Sequence, residues 1–236
     1  MNIQKSAVLV LRSKSVKSID LQISLDGSLL PQVDTHKHLG VTLNSTLSWD
    51  DHVQTIVTKA SQRIGLLRRY RKRLPALSIR QLYCSFVRPV IEYASVVYCG
   101  LSSTSAARLE RLQRSAARLI SSLAPRADCP HEIVLARAGL ELLANRREED
   151  AAVFAYKFVH RTLPTHLSVD CSHWFAPKPD RAAPLRSADL VRLPRAKKGV
   201  LKRSPFYMSL SVWNALPSKT RSSKSLTGLC NAFLAK

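Results

Sequence analysis

The sequence has few acidic residues and no long apolar run. Its 236 residues include 16 Asp and Glu against 37 Lys and Arg, which gives a formal net charge of +21 and a pI near 10.4. No stretch approaches the roughly 18 apolar residues that a membrane-spanning helix needs, and no signal-peptide pattern opens the chain. The five cysteines are odd in number and scattered, which is typical of reduced thiols. We therefore expect an intracellular protein, in the nucleus or the cytoplasm, without a membrane partner.

The basic residues are unevenly distributed along the chain. Residues 1–60 carry 6 basic and 5 acidic groups, residues 61–150 carry 16 and 8, and residues 151–236 carry 15 and 3. Lys and Arg that neutralise phosphates gain free energy from counterion release, so this excess indicates a polyanionic partner that contacts the chain beyond residue 60. A hydrophobic content of 45% is enough for a packed core in one large domain or two small ones.

The first forty residues have the pattern of strands. Ala7–Leu11 is a short apolar run, apolar residues alternate from 21 to 25, and Asp26-Gly27 is a strong hairpin turn signal. A third run ends at Leu39-Gly40-Val41. Together these segments predict a small antiparallel meander. A mitochondrial transit peptide is the alternative, because the first twenty residues carry four basic groups and no acid before Asp20.

Beyond residue 47 the apolar period becomes helical. Ser48 and Asp51 have the spacing of a capping box, Pro89 is expected to kink or split the second helix, and Gly139 to end the fourth. Helices are predicted from Ser48, from Ser78, from about Thr104, over His131–Ala138, and from about Leu143 to His160. The apolar residues of these helices are Val53, Ile56, Val57, Ala60, Ile64 and Leu67 in the first, Ile79, Leu82, Tyr83, Phe86 and Val87 in the second, Leu109, Leu112, Ala116, Leu119, Ile120 and Leu123 in the third, and the inward-facing Phe154 and Phe158 in the fifth.

Prolines become frequent after residue 163. Residues 176–205 are expected to form an extended basic linker, and Phe206–Leu216 is amphipathic. The predicted domains are a strand segment at 1–47, a helical bundle at 48–163 and a Pro-rich extension at 164–236. The fold class is mainly α: a short antiparallel β meander, then a basic helical bundle and a Pro-rich C-terminal extension.

Two groups of residues have the types that bind metals. Asp50-Asp51 is an adjacent carboxylate pair, but its position at a helix start favours a capping role, and no flanking strands build the turn that a polymerase site needs. The pairs Cys129/His131 and Cys171/His173 have one residue between the ligands, which is shorter than the usual zinc spacing. We therefore predict no metal site.

Clusters of basic residues on the predicted helices are the candidate binding surface. Any one of these clusters is explained more simply as a solvated helix face. Because the chain has so few acidic residues, however, the clusters together would repel one another unless an anionic partner were bound. We expect them to contact the phosphate backbone of a nucleic acid. The candidate residues are Arg68, Arg69, Arg71, Lys72, Arg73, Arg108, Arg111, Arg114, Arg118, Arg146 and Arg147.

Several short motifs occur in an order that resembles one family. The chain is similar, over nearly its whole length, to the C-terminal part of non-LTR (LINE-type, jockey-like) retrotransposon reverse transcriptases. The motifs that carry the resemblance are His36–Val41, Leu47–His52, Leu82–Tyr93, Leu109–Arg118, Leu140–Leu143 with Arg146-Arg147, and Trp213–Pro217.

This resemblance implies a palm remnant, a thumb and a helical extension. It equates Lys5 with the general acid of polymerase motif D, residues Leu39, Gly40 and Val41 with the primer grip, and the helices from Ser48 onward with the thumb. In the family the metal-binding aspartates precede motif D, so we expect no complete catalytic set and no cofactor in this chain. Mg²⁺ is implied for the full-length parent enzyme.

The expected function is therefore that of a fragment of an RNA-directed DNA polymerase. It would bind RNA or a primer–template duplex, would be inactive alone, and would have the missing palm and fingers portion of the polymerase as its partner. Two alternatives stay open at this point. One is a standalone basic nucleic-acid-binding protein derived from a retroelement, and the other is a non-catalytic helical interaction module.

Overall fold

A computed structural model describes most of the chain. The described residues are 6–12, 15–17, 19–123, 129–167, 190–191, 193–195, 199–223 and 225–234. The chain divides into two compact units, one formed by residues 1–91 and 101–127 and the other by residues 92–100 and 128–236. Short antiparallel strand pairs come first and helices follow, so the predicted fold class is confirmed.

Four short strands form two separate hairpins in the first unit. Strands β1 (Ser24–Leu25) and β2 (Ser28–Leu29) pair antiparallel, as do β3 (Thr35–His38) and β4 (Val41–Asn44). Both central residues of each turn have positive φ: 50° and 78° at Asp26-Gly27, and 45° and 86° at Leu39-Gly40. This is the backbone of a type I′ turn, in which glycine at the second position avoids strain. The hairpin predicted at Asp26-Gly27 is confirmed.

The N-terminal strand prediction was wrong for Ala7–Leu11. Val8 makes one isolated bridge with Gln32, and this bridge is parallel. The Val8 amide donates to the Pro31 carbonyl at 2.9 Å, and the Val33 amide donates to the Val8 carbonyl at 2.9 Å. Because Pro31 has no N–H group, this ladder cannot extend from Val8 back to the carbonyl of Ser6. Leu39-Gly40 is also the turn itself and not the end of a strand.

The helices of the first unit follow the predicted periodicity closely. They are α1 (Asp50–Tyr70), α2 (Ala76–Leu82), a π-helical turn (Tyr83–Val87), α3 (Arg88–Glu92) and α4 (Ser103–Ile120). Helix α1 packs against α4, and both contribute their apolar stripes to the core. The buried residues of this core include Val53, Ile56, Ala60, Ile64, Leu67, Ile79, Leu109, Leu112, Ala116, Leu119 and Ile120.

The π-helical turn changes which residues face the core after α2. Leu82 and Phe86 were expected on the inner stripe, but they are 37% and 40% exposed, whereas Tyr83 and Val87 are fully buried. The Arg88 amide donates to the Tyr83 carbonyl, five residues earlier. A wider turn rotates the side chains relative to an α-helix, and it lies just before Pro89, which cannot donate an i−4 hydrogen bond.

The second unit is helical where the structure describes it. Its helices are α5 (His131–Ala138), α6 (Leu143–Val159), α7 (Gly199–Lys202), α8 (Pro205–Ala215), α9 (Ser218–Arg221) and α10 (Leu226–Leu234). Helix α5 has the predicted bounds and ends at Gly139 with φ of 62°. The predicted helix near 143–160 and the amphipathic segment 206–216 are confirmed as α6 and α8.

Helices α6 and α8 build the core of this unit. The rings of Tyr156 and Trp213 lie 6.3 Å apart, and Phe206 makes edge contacts with Phe154 and Phe158. The side chains of Leu210 and Leu229 complete the cluster and are fully buried. Both phenylalanines of α6 face inward, as predicted.

Several predictions concern residues outside the described ranges. Residues 176–189 of the linker predicted at 176–205 lie there, as do Lys5, Cys171 and His173. In its described part the prediction of an extended linker was wrong, because Val191 is buried in the core and Gly199–Lys202 is helical. The three predicted domains stay predictions. Within the described residues, no helix is long and apolar enough to span a membrane.

Candidate nucleic-acid interface

The C-terminal end of α1 presents the densest group of cations in the first unit. We call Arg68, Arg69, Lys72 and Arg73 the α1 basic cluster, and all four side chains are exposed. Arg68 and Arg69 lie in the last turn of α1, where cations interact favourably with the helix dipole. A hydrogen-bonded turn follows the helix, in which the amides of Arg73 and Leu74 both donate to the Tyr70 carbonyl, at 2.9 and 3.0 Å. The four cations thus lie within six consecutive residues at the end of α1 and in this turn.

Arg71 differs from its neighbours in the same run. It is half-buried, and its Nε donates to the Leu119 carbonyl at 3.2 Å. Leu119 lies in the last turn of α4, whose final carbonyls have no partner within the helix. Arg71 therefore links the ends of α1 and α4, and this bond gives it a structural role whether or not it contacts a ligand.

The arginine stripe of α4 is less open than its spacing suggests. Arg111 is exposed and its Nε donates to the Ala107 carbonyl at 3.3 Å, whereas Arg108, Arg114 and Arg118 are half-buried. The guanidinium of Arg108 donates to the side chain of Gln54 in α1. Part of this stripe therefore supports the packing of α4 on α1.

In the second unit, Arg146 forms an ion pair with Glu92. The pair has two hydrogen bonds, and the two side chains are 27% and 21% exposed. The hydrogen bond to Glu92 raises the pKa of Arg146 further, so the guanidinium stays charged. Arg147, the next residue, is also half-buried. The contacts of Arg146 and Arg147 with a nucleic acid stay predictions. The ion pair with Glu92 gives Arg146 a role within the fold as well.

A second polar contact lies beside this ion pair. The Ser95 hydroxyl donates to a carboxylate oxygen of Asp150. Burial raises the pKa of Asp150, and repulsion by Glu92 acts in the same direction, while the Ser95 hydrogen bond and Arg146 oppose the shift. Glu92, Ser95, Arg146 and Asp150 thus form one polar cluster that joins the 92–100 segment to α6. Its acceptors are occupied by intramolecular donors.

The residues that resemble the primer grip occupy the tip of the second hairpin. Leu39 and Gly40 form the β3–β4 turn, and Val41 begins β4. The Leu39 side chain is 78% exposed, whereas Val41 is buried. The expected primer-grip role of these residues stays a prediction.

The carboxylates of Asp50 and Asp51 are engaged by side chains of the first unit. Asp50 accepts hydrogen bonds from the hydroxyls of Ser48 and Ser105, both at 2.6 Å. Asp51 accepts one from the Asn44 amide group at 2.8 Å. The predicted capping box was wrong, because α1 begins at Asp50 and Asp51 bonds to Asn44 instead of capping with Ser48.

The contacts of these two carboxylates are intramolecular. Both oxygens of Asp50 and one oxygen of Asp51 accept hydrogen bonds from hydroxyl or amide donors. Among the described residues, no group of three or more His, Cys, Asp or Glu side chains could hold a metal ion. The contacts of Asp50 and Asp51 therefore indicate a structural role.

Two exposed apolar side chains beside the basic cluster were missed in the sequence. Leu66 and Tyr70 are 44% and 51% exposed on α1. Leu66 falls outside the buried stripe of α1, whereas Tyr70 follows the buried Leu67 by three residues and so continues its spacing. The available signal was therefore an aromatic residue within a run of cations, since such a residue is a candidate contact for a base.

One known protein gives context for this surface. Over 136 residues the chain is 26% identical to "Probable RNA-directed DNA polymerase from transposon BS" of Drosophila melanogaster, and the match covers 56% of this chain. The match covers only 14% of the length of that protein. No protein-family profile and no solved structure matches the chain. The likeness supports a distant relationship between this chain and a retrotransposon reverse transcriptase.

Proposed function

We propose that the chain is a C-terminal, thumb-containing part of a jockey-like non-LTR reverse transcriptase. Its function in this proposal is to hold RNA or a primer–template duplex by the phosphate backbone. The distant likeness to a transposon RNA-directed DNA polymerase supports the choice of nucleic acid as the polyanion. Helices with basic exposed faces suit such a task, because backbone contacts fix the position of a duplex without reading its sequence.

The α1 basic cluster is the observation that carries this proposal. Four exposed cations lie within six residues, and the sequence has no acidic residue between Asp51 and Glu92. Without a partner, such a group is destabilising through self-repulsion. With phosphates at that position, each contact releases condensed counterions and adds affinity that falls as salt rises.

Catalysis in this proposal belongs to another part of the polymerase. The two adjacent carboxylates of the first unit are already bound by hydroxyl and amide donors. We propose that the palm and fingers portion supplies the metal-binding carboxylates, and that the present chain supplies binding. With Mg²⁺, nucleotides and a primer–template, we expect the chain alone to extend no primer. Primer extension by the pure chain would overturn this division of roles.

The binding role is tested by neutralising the α1 basic cluster in the full chain. The test variant replaces Arg68, Arg69, Lys72 and Arg73 by Ala. A matched control makes the same change of net charge with four exposed but dispersed cations, by replacing Lys59, Arg161, Lys202 and Lys219. Fluorescence anisotropy with an RNA–DNA duplex measures the affinity of each protein over a series of salt concentrations.

We expect the cluster variant to bind more weakly and to show a shallower salt dependence. For every phosphate that the variant no longer neutralises, the slope of log K against log salt should fall by about 0.9. The control variant should show smaller changes in both affinity and slope. Equal changes in the two variants would reduce the effect to net charge, and an unchanged cluster variant would overturn the proposed surface. Failure of the wild-type chain to bind at low salt would favour a helical interaction module instead.

A further inference from the structure

An apolar patch lies within the basic end of α1. Leu66, Arg69 and Tyr70 lie on one face of α1, because Arg69 and Tyr70 follow Leu66 by three and four residues. Arg73 lies in the turn directly after the helix, where its amide donates to the Tyr70 carbonyl at 2.9 Å. We call these four residues the Tyr70 patch. Leu66 and Tyr70 are 44% and 51% exposed, and both arginines are exposed. The buried face of α1 carries Ile64 and Leu67 instead, so about half of each apolar side chain of the patch remains accessible.

The mixture of an aromatic ring and cations distinguishes this patch from the rest of the cluster. Cations alone are sufficient to hold a phosphate backbone, to which a tyrosine adds only its hydroxyl group as a hydrogen-bond donor. A ring adds affinity where a base can lie on its face, since base–aromatic stacking is favourable for every base. The bases of a continuous duplex are stacked on one another, so their faces are accessible only where a base is unpaired.

We propose that the Tyr70 patch binds a single-stranded segment of the nucleic acid. One unpaired base stacks on the Tyr70 ring, with Leu66 as its apolar neighbour, while Arg69 and Arg73 contact the phosphates on either side. This inference rests on the proposed nucleic-acid binding and specifies its substrate. The patch favours an unpaired strand, whereas the other two cations of the cluster serve single strands and duplexes alike.

Three variants of the full chain test the role of the ring. Tyr70→Ala removes the ring, and Tyr70→Phe keeps it without the hydroxyl. Tyr93→Ala is the matched control, because Tyr93 is 56% exposed in the second unit and lies outside any basic cluster. Anisotropy measures the affinity of each variant for a short oligouridine strand and for a blunt RNA–DNA duplex at the same salt concentration.

We expect Tyr70→Ala to weaken binding of the single strand by roughly 5- to 150-fold, the range that one base–aromatic stack provides. The same variant should bind the blunt duplex like the wild type. Tyr70→Phe and Tyr93→Ala should retain the affinity for both probes. Equal effects of Tyr70→Ala on the single strand and the duplex would overturn the inference.

A spectroscopic readout separates stacking from a change in folding. The fluorescence of 2-aminopurine in the single strand should fall on binding to the wild type and to Tyr70→Phe, but not to Tyr70→Ala, because stacking on the ring quenches it. Quenching that survives in Tyr70→Ala would also overturn the inference. Weaker binding after removal of the α1 basic cluster, together with no effect of Tyr70→Ala, would reject this inference and leave the proposed function intact. No effect of either change would reject both.

Discussion

The Ser105 hydroxyl donates a 2.6 Å hydrogen bond to Oδ1 of Asp50, which joins the first turn of α4 to the first turn of α1. The other carboxylate oxygen, Oδ2, accepts from Ser48 at 2.6 Å. Ser105 is buried, so a change at Asp50 leaves its hydroxyl without this acceptor. Adjacent carboxylates are common in metal sites, but these two have different structural roles. Asp50 connects α1 to α4, whereas Asp51 bonds locally to Asn44.

Replacement of Asp50 by Ala should lower the free energy of unfolding by about 1–3 kcal/mol, because the hydrogen bonds to a charged acceptor disappear and a buried donor stays behind. Asp51→Ala should cost less, about 0.5–1.5 kcal/mol, since it removes one exposed hydrogen bond. Urea denaturation followed by circular dichroism measures both. An equal cost for the two variants would contradict the division of roles between the two carboxylates.

Removal of the Leu210 side chain should destabilise the second unit. Leu210 lies on α8 and is fully buried in the core that α8 forms with α6. Leu→Ala changes at such sites cost about 2–5 kcal/mol, because they reduce the buried apolar area and leave a cavity. Ile133→Ala is the control in the same unit, because Ile133 is 46% exposed in α5. Its cost should be well below that of Leu210→Ala. Similar urea midpoints for the two variants would show that α8 does not form part of a packed core.

Local patterns in the sequence were sufficient to predict most helices and one hairpin. The 3.6-residue period located the inner face of α1, the residues from Leu109 to Ile120 marked α4, and Gly139 marked the end of α5. These features depend on residues within a few positions of one another, which is why a pattern in the chain reveals them. The hairpin at Asp26-Gly27 is equally local, since these two residues form the turn that brings β1 and β2 together.

The features that the sequence did not reveal are hydrogen-bond partners distant in sequence and a change of helix type. Arg71 bonds to Leu119, 48 residues away, and Arg146 to Glu92, 54 residues away. No local pattern distinguishes these arginines from their exposed neighbours. The π-helical turn before Pro89 likewise rotated Phe86 out of the expected stripe. Local sequence patterns therefore revealed the run of cations at 68–73 but did not separate its exposed members from Arg71, which supports the fold.

The stability of the first unit should decrease in mild acid because of His52. This residue is buried at the start of α1, and its Nδ1 accepts the Thr42 amide at 3.3 Å, which ties β4 to the helix. Burial lowers the pKa of His52 below its ordinary value of 6.5, and the nearby charge of Lys59 lowers it further. The folded state therefore favours the neutral ring, and a ring protonated at Nδ1 would lose the Thr42 bond.

The sign of the pH effect follows from proton binding. Below pH 6.5 the unfolded chain protonates this histidine while the folded chain does not, so the free energy of unfolding falls as pH falls towards the folded-state pKa. Above pH 6.5 the His52 ring is mostly neutral in both the folded and the unfolded chain, so it no longer makes the free energy of unfolding depend on pH. Urea titrations across mildly acidic pH should show a smaller decline in His52→Gln, which keeps an acceptor but does not titrate. His38→Gln, an exposed control, should decline like the wild type; a His52→Gln curve parallel to the wild type would refute the assignment.

Arg146 should prove more important for stability than for nucleic-acid binding. Its ion pair with Glu92 is partly buried, and Arg146→Ala leaves Glu92 facing Asp150 without the opposing cation. We expect a decrease of about 1–2 kcal/mol in the free energy of unfolding, discounted for the remaining solvent exposure. Arg146→Lys should recover only part of it, because a lysine lacks the two-donor geometry of the guanidinium. Lys202→Ala, which removes an exposed cation of the same unit, is the control and should cost less. The salt slope of RNA binding decides between the roles: it should stay unchanged in Arg146→Ala, and a shallower slope with unaltered stability would make Arg146 a phosphate contact after all.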